Sequence, residues 1–146
     1  MELTAEDRIL VTGATGLVGS HVAERFIGMG VPTRVVVRKP EAASWLSDLG
    51  VEVVAGDMTD AESLGKAVEG VRVVVHCAAM VGDWGPGDSY GDVNVRGRET
   101  LIEASRSTGL LKRFVHISSL GVYEARDHYG TDESEAPSRV GIDGYT

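Results

Sequence analysis

The sequence has little with which to staple itself covalently or to grip a polyanion. It contains one cysteine, Cys77, so no internal disulfide can form. The thiol's place in the apolar run Val71-Arg72-Val73-Val74-Val75-His76-Cys77-Ala78-Ala79 suits a buried position in a reducing compartment. Cations are scarce as well: 14 Lys and Arg against 22 Asp and Glu leave a net charge of −8. Without a basic cluster to neutralise several phosphates, nucleic acid and anionic membrane surfaces are excluded as expected partners. No apolar run approaches the roughly 18 residues of a membrane span. Glu2, Glu6, Asp7 and Arg8 put charges ahead of any apolar stretch, unlike a secretory leader, so the chain reads as cytoplasmic. The four histidines, His21, His76, His116 and His128, are scattered, and no metal site is expected. Aromatics amount to only 5%, but 42% hydrophobic and 25% charged residues over 146 positions suit one globular domain with a real core.

Glycine is abundant, with 19 residues, and apolar runs alternate with stretches of helical period. Arg8 to Thr12, Thr33 to Val37, Val51 to Ala55, Val71 to Cys77 and Arg113 to Ser118 are rich in Val and Ile without strict alternation. That is the pattern of parallel strands buried on both faces. Between them, Val18, Val22, Ala23, Phe26 and Ile27 outline a first helix that stops near Gly28 and Gly30. Asp60 or Thr59 caps a short second one with Leu64, Ala67 and Val68 inward, closing at Gly70. A longer helix from about Asp92 to Ser107 carries Val93, Gly97, Leu101 and Ala104 on one side, and Gly97 permits close approach to a neighbour. After Tyr123 the chain turns polar and reads as loop. The expected fold is α/β: a doubly wound parallel sheet of Rossmann type with at least five parallel strands.

Gly13-Ala14-Thr15-Gly16-Leu17-Val18-Gly19 directly follows the first strand and opens the first helix, the context in which glycine spacing signals a dinucleotide site. One glycine makes the tight turn, another lets backbone N–H groups approach a pyrophosphate, and the last lets helix pack on sheet, with the anion at the positive end of the helix dipole. A purely structural glycine turn is the alternative.

With Thr12 ahead of it, the Gly-x-x-Gly-x-x-Gly spacing resembles the extended short-chain dehydrogenase/reductase family, the NAD(P)-dependent epimerase/dehydratase group. Further segments carry the same resemblance. Gly56-Asp57-Met58-Thr59-Asp60 looks like the family's adenine-contacting segment, His76-Cys77-Ala78-Ala79 like the small residues beside the cofactor, and Asn94-Val95-Arg96-Gly97 like its Asn-Val-x-Gly helix segment. Ile117-Ser118-Ser119-Leu120-Gly121-Val122-Tyr123 is similar to the stretch that carries the catalytic serine, here Ser119. The resemblance implies a dinucleotide site from Gly13 to Gly19 with Asp57, Met58, Cys77, Ala78, Ala79, Asn94 and Ser118. For Asp57 a turn-capping role, and for Asn94 a structural helix role, remain open.

An acid at the end of the second strand would accept from the ribose hydroxyls, whereas a cation there pairs with a 2′-phosphate. The residues are Arg38 and Lys39, so NADP is expected in preference to NAD, unless the two merely form a solvated strand end. The resemblance implies hydride transfer to or from a small carbonyl compound or a sugar nucleotide, with Ser119 fixing the substrate oxygen and a tyrosine carrying the proton. Tyr145 is the expected tyrosine, ahead of Tyr123 and Tyr129; its partner lysine would be residue 149, past the final Thr146. The chain is therefore expected to be one incomplete NAD(P)-binding domain over residues 1–146, lacking the substrate-binding part, able to bind but not to turn over. A homodimer through the Asp92 to Ser107 helix follows from the same resemblance. A non-catalytic dinucleotide sensor or interaction module is the competing expectation.

Overall fold

The Val- and Ile-rich runs become five strands, β1 (Arg8–Thr12), β2 (Thr33–Val37), β3 (Glu52–Ala55), β4 (Val71–His76) and β5 (Arg113–His116), in a computed structural model that describes residues 3–4, 6–82 and 87–138. All pair in parallel in the order β3-β2-β1-β4-β5. The chain therefore leaves β1 towards β2 on one side and later returns to β1's other edge with β4. That reversal is the switch point where open α/β sheets take their ligands, outside the carboxyl ends of the strands.

Side chains alternate between the two sheet faces and each face has its own core. Ile9, Val11, Val35, Val37, Val73 and Val75 pack with Ala14, Ala23, Ala43 and Leu46 on one side. Leu10, Val36 and Val74 pack with Leu64, Ala67, Val68 and Leu101 on the other. Helix α1 (Leu17–Gly28) and the short α2 (Ser44–Asp48), entered through a 3-10 turn over Pro40–Ala43, cover the first face. Helices α3 (Ala61–Ala67) and α5 (Arg98–Ser107) cover the second. Full burial of each Val, Leu or Ile contributes about 1.5–3 kcal/mol, and this layered burial makes the fold doubly wound as expected.

The strands are shorter than the apolar runs. Val51 precedes β3, Cys77 follows β4, and Ile117 and Ser118 lie past β5. Apolar composition extends beyond the ladder because residues flanking a strand can be buried without being paired; Val51 is buried in the first core although it lies outside β3. In α1, Val18 is half exposed rather than inward, and Val22, Ala23, Phe26 and Ile27 carry the contact with the core. The helix closes when Val31 N–H donates to Phe26 O (3.0 Å) and Gly30 N–H to Ile27 O (2.8 Å), with Gly30 at φ +71.

The expected long helix begins earlier than Asp92 and is not one regular helix. It comprises α4 (Gly87–Tyr90), a π-helical stretch over Gly91–Gly97, and then α5. The wide turn ends where the helix is pressed onto the loop after β3, since a Cβ on Gly97 would sit 2.7 Å from Met58 O. The 3-10 turn and α2 were not legible from helical period, being only a few residues each.

At the amino ends of the strands, Asp7 is 1% exposed and accepts from Lys112 Nζ (2.7 Å) and from Thr4 N–H (2.9 Å) and Oγ1 (3.0 Å). The Lys112 bond and the Thr4 backbone bond hold its carboxyl at about 2. Buried Arg34 closes the same side of the molecule by donating to Ala67 O (2.8 Å), Glu69 O (2.9 Å) and Glu52 Oε1 (2.8 Å). Among the described residues no helix is long and apolar enough to cross a membrane.

Candidate functional site

The carboxyl end of β1 runs into Gly13–Gly19, and the three glycines are there for different reasons. Gly13 has φ +69, and a Cβ on it would lie 2.7 Å from Ala78 N. A Cβ on Gly19 would lie 2.2 Å from Gly13 O. Both positions are closed by the chain's own backbone: Gly13 brings the turn against the segment after β4, and Gly19 brings α1 against the turn. Gly16 differs, because a Cβ there would meet only Gly13 O at 3.4 Å. The packing does not require glycine at 16.

Gly16 is also the N-cap of α1 and supplies no side-chain cap, and the first turn of α1 contains no acid. The first N–H groups of a helix have no intrahelical acceptor. Residues 15–18 are exposed, so this helix start lies at the surface beside the switch point, a geometry that can hold an anion through backbone donors and the helix dipole. Ala14 is buried beneath the turn and Thr15 is exposed above it. Leu17 is 79% exposed; with Val18, His21, Val22 and Arg25 it lines a shallow groove along the outer side of α1.

On the β2 side, Arg38 and Lys39 are exposed directly past the strand and make no ion pair among the described residues. Asp57 lies on the loop after β3, and its Oδ1 accepts from Thr59 N–H (2.8 Å) and Thr59 Oγ1 (2.7 Å). These two bonds, with the nearby Arg38 charge, hold the Asp57 carboxyl below the usual carboxylate range. The turn-capping role is thus real, and both bonds use one carboxylate oxygen. Met58 packs under Gly97.

On the β4 side, Cys77 is half-buried and its thiol is pushed up by burial, so it is a poor nucleophile there. Ala78 N–H donates to Thr12 Oγ1 (3.1 Å), and the same oxygen lies 2.7 Å from His76 Nδ1. Burial, then the neighbouring His116 and Arg98, lowers the His76 imidazole to about 4 and keeps it neutral at physiological pH. Asn94 does not present a free amide: its Oδ1 accepts from Met80 N–H (2.8 Å) and its Nδ2 donates to Met80 O (2.9 Å). Past β5, Ser118 is exposed, whereas Ser119 is half-buried and caps the 3-10 turn Leu120–Val122 by accepting from Gly121 N–H (3.1 Å). Tyr145 lies outside the described residues.

The sheet order therefore gathers the glycine turn, Arg38, Asp57, the segment after β4 and Ser119 at one end of the strands. A family model described as "NAD dependent epimerase/dehydratase family" matches residues 9–140, which span every one of these segments. The chain belongs to that family. Sterol demethylase protein B of Methylococcus capsulatus is 37% identical over 77% of this chain and 34% of its own length. A 4-hydroxy-2-methyl-3-oxo-4-farnesyl-3,4-dihydroquinoline-1-oxide ketoreductase of Stigmatella aurantiaca is 30% identical over 94% of this chain and 41% of its own. Among solved structures, a short-chain dehydrogenase/reductase superfamily protein from Agrobacterium tumefaciens with bound NAD superposes with a TM-score of 0.79 at 32% identity, covering 94% of this chain and 40% of that one. The chain thus spans well under half the length of these family members.

One residue at the site, Tyr90, escaped sequence reasoning, and another, Thr12, was read only as the residue ahead of the glycine turn, without its hydrogen-bond role. Thr12 is fully buried at the end of β1, and its hydroxyl ties the turn to Ala78 and His76. Tyr90 is buried and donates to Gly82 O (2.7 Å). Each had a signal: a hydroxyl at the inner end of a buried strand needs a partner, and Tyr90 stands one helical turn before Asn94.

Proposed function

We propose that this chain is the dinucleotide-binding domain of an NAD(P)-dependent oxidoreductase that prefers NADP and reduces the carbonyl of a small molecule. The observation that carries the reading is the open N-terminus of α1 at the switch point, with a glycine at position 16 that the fold itself does not need. Gly13 to Gly19 hold the pyrophosphate through backbone N–H groups, and Asp57 and Met58 receive the adenine. Arg38 and Lys39 pair with a 2′-phosphate, and Cys77, Ala78, Ala79, Asn94 and Ser118 border the nicotinamide half. The Stigmatella aurantiaca relative is a ketoreductase by name, which supports carbonyl reduction, and the Agrobacterium tumefaciens neighbour holds NAD, which supports a nicotinamide dinucleotide; the preference for NADP rests on Arg38 and Lys39 alone.

When bound, the nicotinamide supplies a hydride acceptor or donor at C4. Ser119, whose oxygen already accepts from Gly121 N–H, keeps its own proton to donate to a substrate oxygen. Tyr145 carries the exchanged proton, which requires a neighbouring cation to bring its hydroxyl down from about 10. Epimerases and dehydratases of the family acting on sugar nucleotides share the opening hydride step, and the substrate carbonyl separates the two classes.

Calorimetric titration with NADPH, NADH and ATP tests the proposal. NADPH is expected to bind most tightly, and preferential ATP binding overturns the reading. Arg38→Asp should weaken NADPH by about ten- to a hundredfold, the loss of a charge-assisted bond plus an added repulsion, and spare NADH. Equal loss of both dinucleotides would show that Arg38 does not read the phosphate.

A further inference from the structure

The segment that leaves β4 towards α4 is gripped at every second residue by a side chain from elsewhere. Ala78 N–H donates to Thr12 Oγ1 (3.1 Å), at the end of β1. Met80 is held at both its N–H and its carbonyl by the Asn94 amide (2.8 and 2.9 Å). Gly82, at φ +145, has its carbonyl held by the Tyr90 hydroxyl (2.7 Å). Tyr90 is 6% exposed, so its hydroxyl makes this contact out of the solvent. The intervening Ala79 and Val81 are exposed, Val81 by 66% although it is apolar.

Three directed hydrogen-bond sources on five residues are more than a connecting loop needs, and they leave an apolar edge facing outward beside the glycine turn. Resting on the dinucleotide reading above, we propose that Tyr90 is a positioning residue. With Thr12 and Asn94 it holds residues 78–82 as a rigid strap, and the strap's exposed side, Ala79 and Val81, is the apolar wall against which the nicotinamide half and the substrate carbonyl are set.

The direction follows from the sheet. Arg38 and Asp57, proposed for the adenosine end, lie past β2 and β3 on one side of the turn, so the remainder of a ligand anchored at the turn extends past β4 and β5, over the strap and towards Ser119. Thr12, Asn94 and Tyr90 hold the Ala78 N–H, both backbone groups of Met80 and the Gly82 carbonyl, and the side chains left exposed between them, Ala79 and Val81, are hydrocarbon. A wall of that kind positions a ring by shape while leaving the polar work to Ser119. Tyr90 never touches the ligand; it acts through Gly82.

The test compares ligands that share the adenosine end but differ at the other. For the unaltered chain, NADPH or NADH should slow amide hydrogen exchange over residues 79–82, whereas ADP-ribose, which lacks nicotinamide, should leave those amides as in the free protein. Tyr90→Phe, which keeps the ring and removes only the hydroxyl, should weaken dinucleotide binding about three- to tenfold, the worth of one directed hydrogen bond. It should leave ADP-ribose affinity unchanged. Equal weakening of both ligands, or none, overturns the positioning role while the dinucleotide reading stands. Failure of the unaltered chain to bind any dinucleotide overturns that reading and the strap with it. Should Tyr90→Phe not fold, the exchange comparison on the unaltered chain decides: protection of 79–82 by ADP-ribose equal to that by NADH overturns the proposal.

Discussion

Helix α3 and helix α1 begin in the same way, from a loop at the carboxyl end of a strand, and treat their first N–H groups oppositely. α3 satisfies its own: Asp60 Oδ1 accepts from Glu62 N–H (3.0 Å) and Ser63 N–H (3.3 Å), and Glu62 places an acid in the first turn. α1 has Gly16 at the cap and no acid in its first turn. A cap contributes about 1 kcal/mol, so α1 forgoes a stabilisation that α3 takes. The helix that forgoes it is the one aimed from β1 at the switch point beside β4. Leaving donors unsatisfied there costs stability and keeps them available to an anion, whereas α3, away from the switch point, has nothing to keep free.

Converting one helix start into the other is the sharpest way to break this contrast. Gly16→Asp gives α1 a carboxylate at a cap position whose backbone is already extended, φ −94 and ψ 170. The side chain would occupy the first-turn N–H groups and repel a pyrophosphate. Dinucleotide affinity should fall on the order of a hundredfold or more, while the melting temperature stays level or rises by a few degrees. Calorimetry and a thermal melt on one sample separate the two; retained affinity would mean that these donors do not hold the ligand. The converse change, Asp60→Ala, should lower unfolding free energy by about 1 kcal/mol and leave dinucleotide affinity unaltered, as read from a denaturant melt and the same titration.

The smallest effect, visible only in acid, comes from the opposite end of the sheet. Asp7 is depressed to about 2, chiefly by its bond to Lys112. A carboxyl lowered in the folded state adds stability that is fully present above its unfolded value and is lost as pH falls through the folded one. Replacing it by Asp7→Asn should therefore flatten the decline in denaturation midpoint between about pH 4 and pH 2, with no change in pH dependence between 6 and 8. Dinucleotide affinity should not respond, because Asp7 lies at the amino ends of the strands.

Much of this architecture was written in local pattern. The centres of all five strands, the closure of α1 near Gly28 and Gly30 and a cap at Asp60 or Thr59, which the structure gives to Asp60, could be read because each depends on residues near in sequence. Where reading failed, distant contacts had won. The helix expected from Asp92 contains a π turn that ends at Gly97, and Gly97 is pressed against Met58, a long-range contact that no periodicity records. Asn94 looked equally suited to a ligand or to the fold, and the structure gives both ends of its amide to Met80. Tyr90 was missed as a site residue although it stands one helical turn before Asn94, because its partner is a backbone carbonyl on another segment.

By itself the sequence determined the order of the strands, the positions of α1 and α3, and the family, because burial pattern, capping residues and glycine spacing are local and each carries its physics in a few consecutive residues. It also determined which charges stand past β2. Only the tertiary structure decided which glycines are closed in by packing and which one is not. Gly13 and Gly19 are closed by atoms of Ala78 and of the turn, and Gly16 is not. That distinction depends on the space around a Cβ, and space is set by segments that meet only when the sheet assembles.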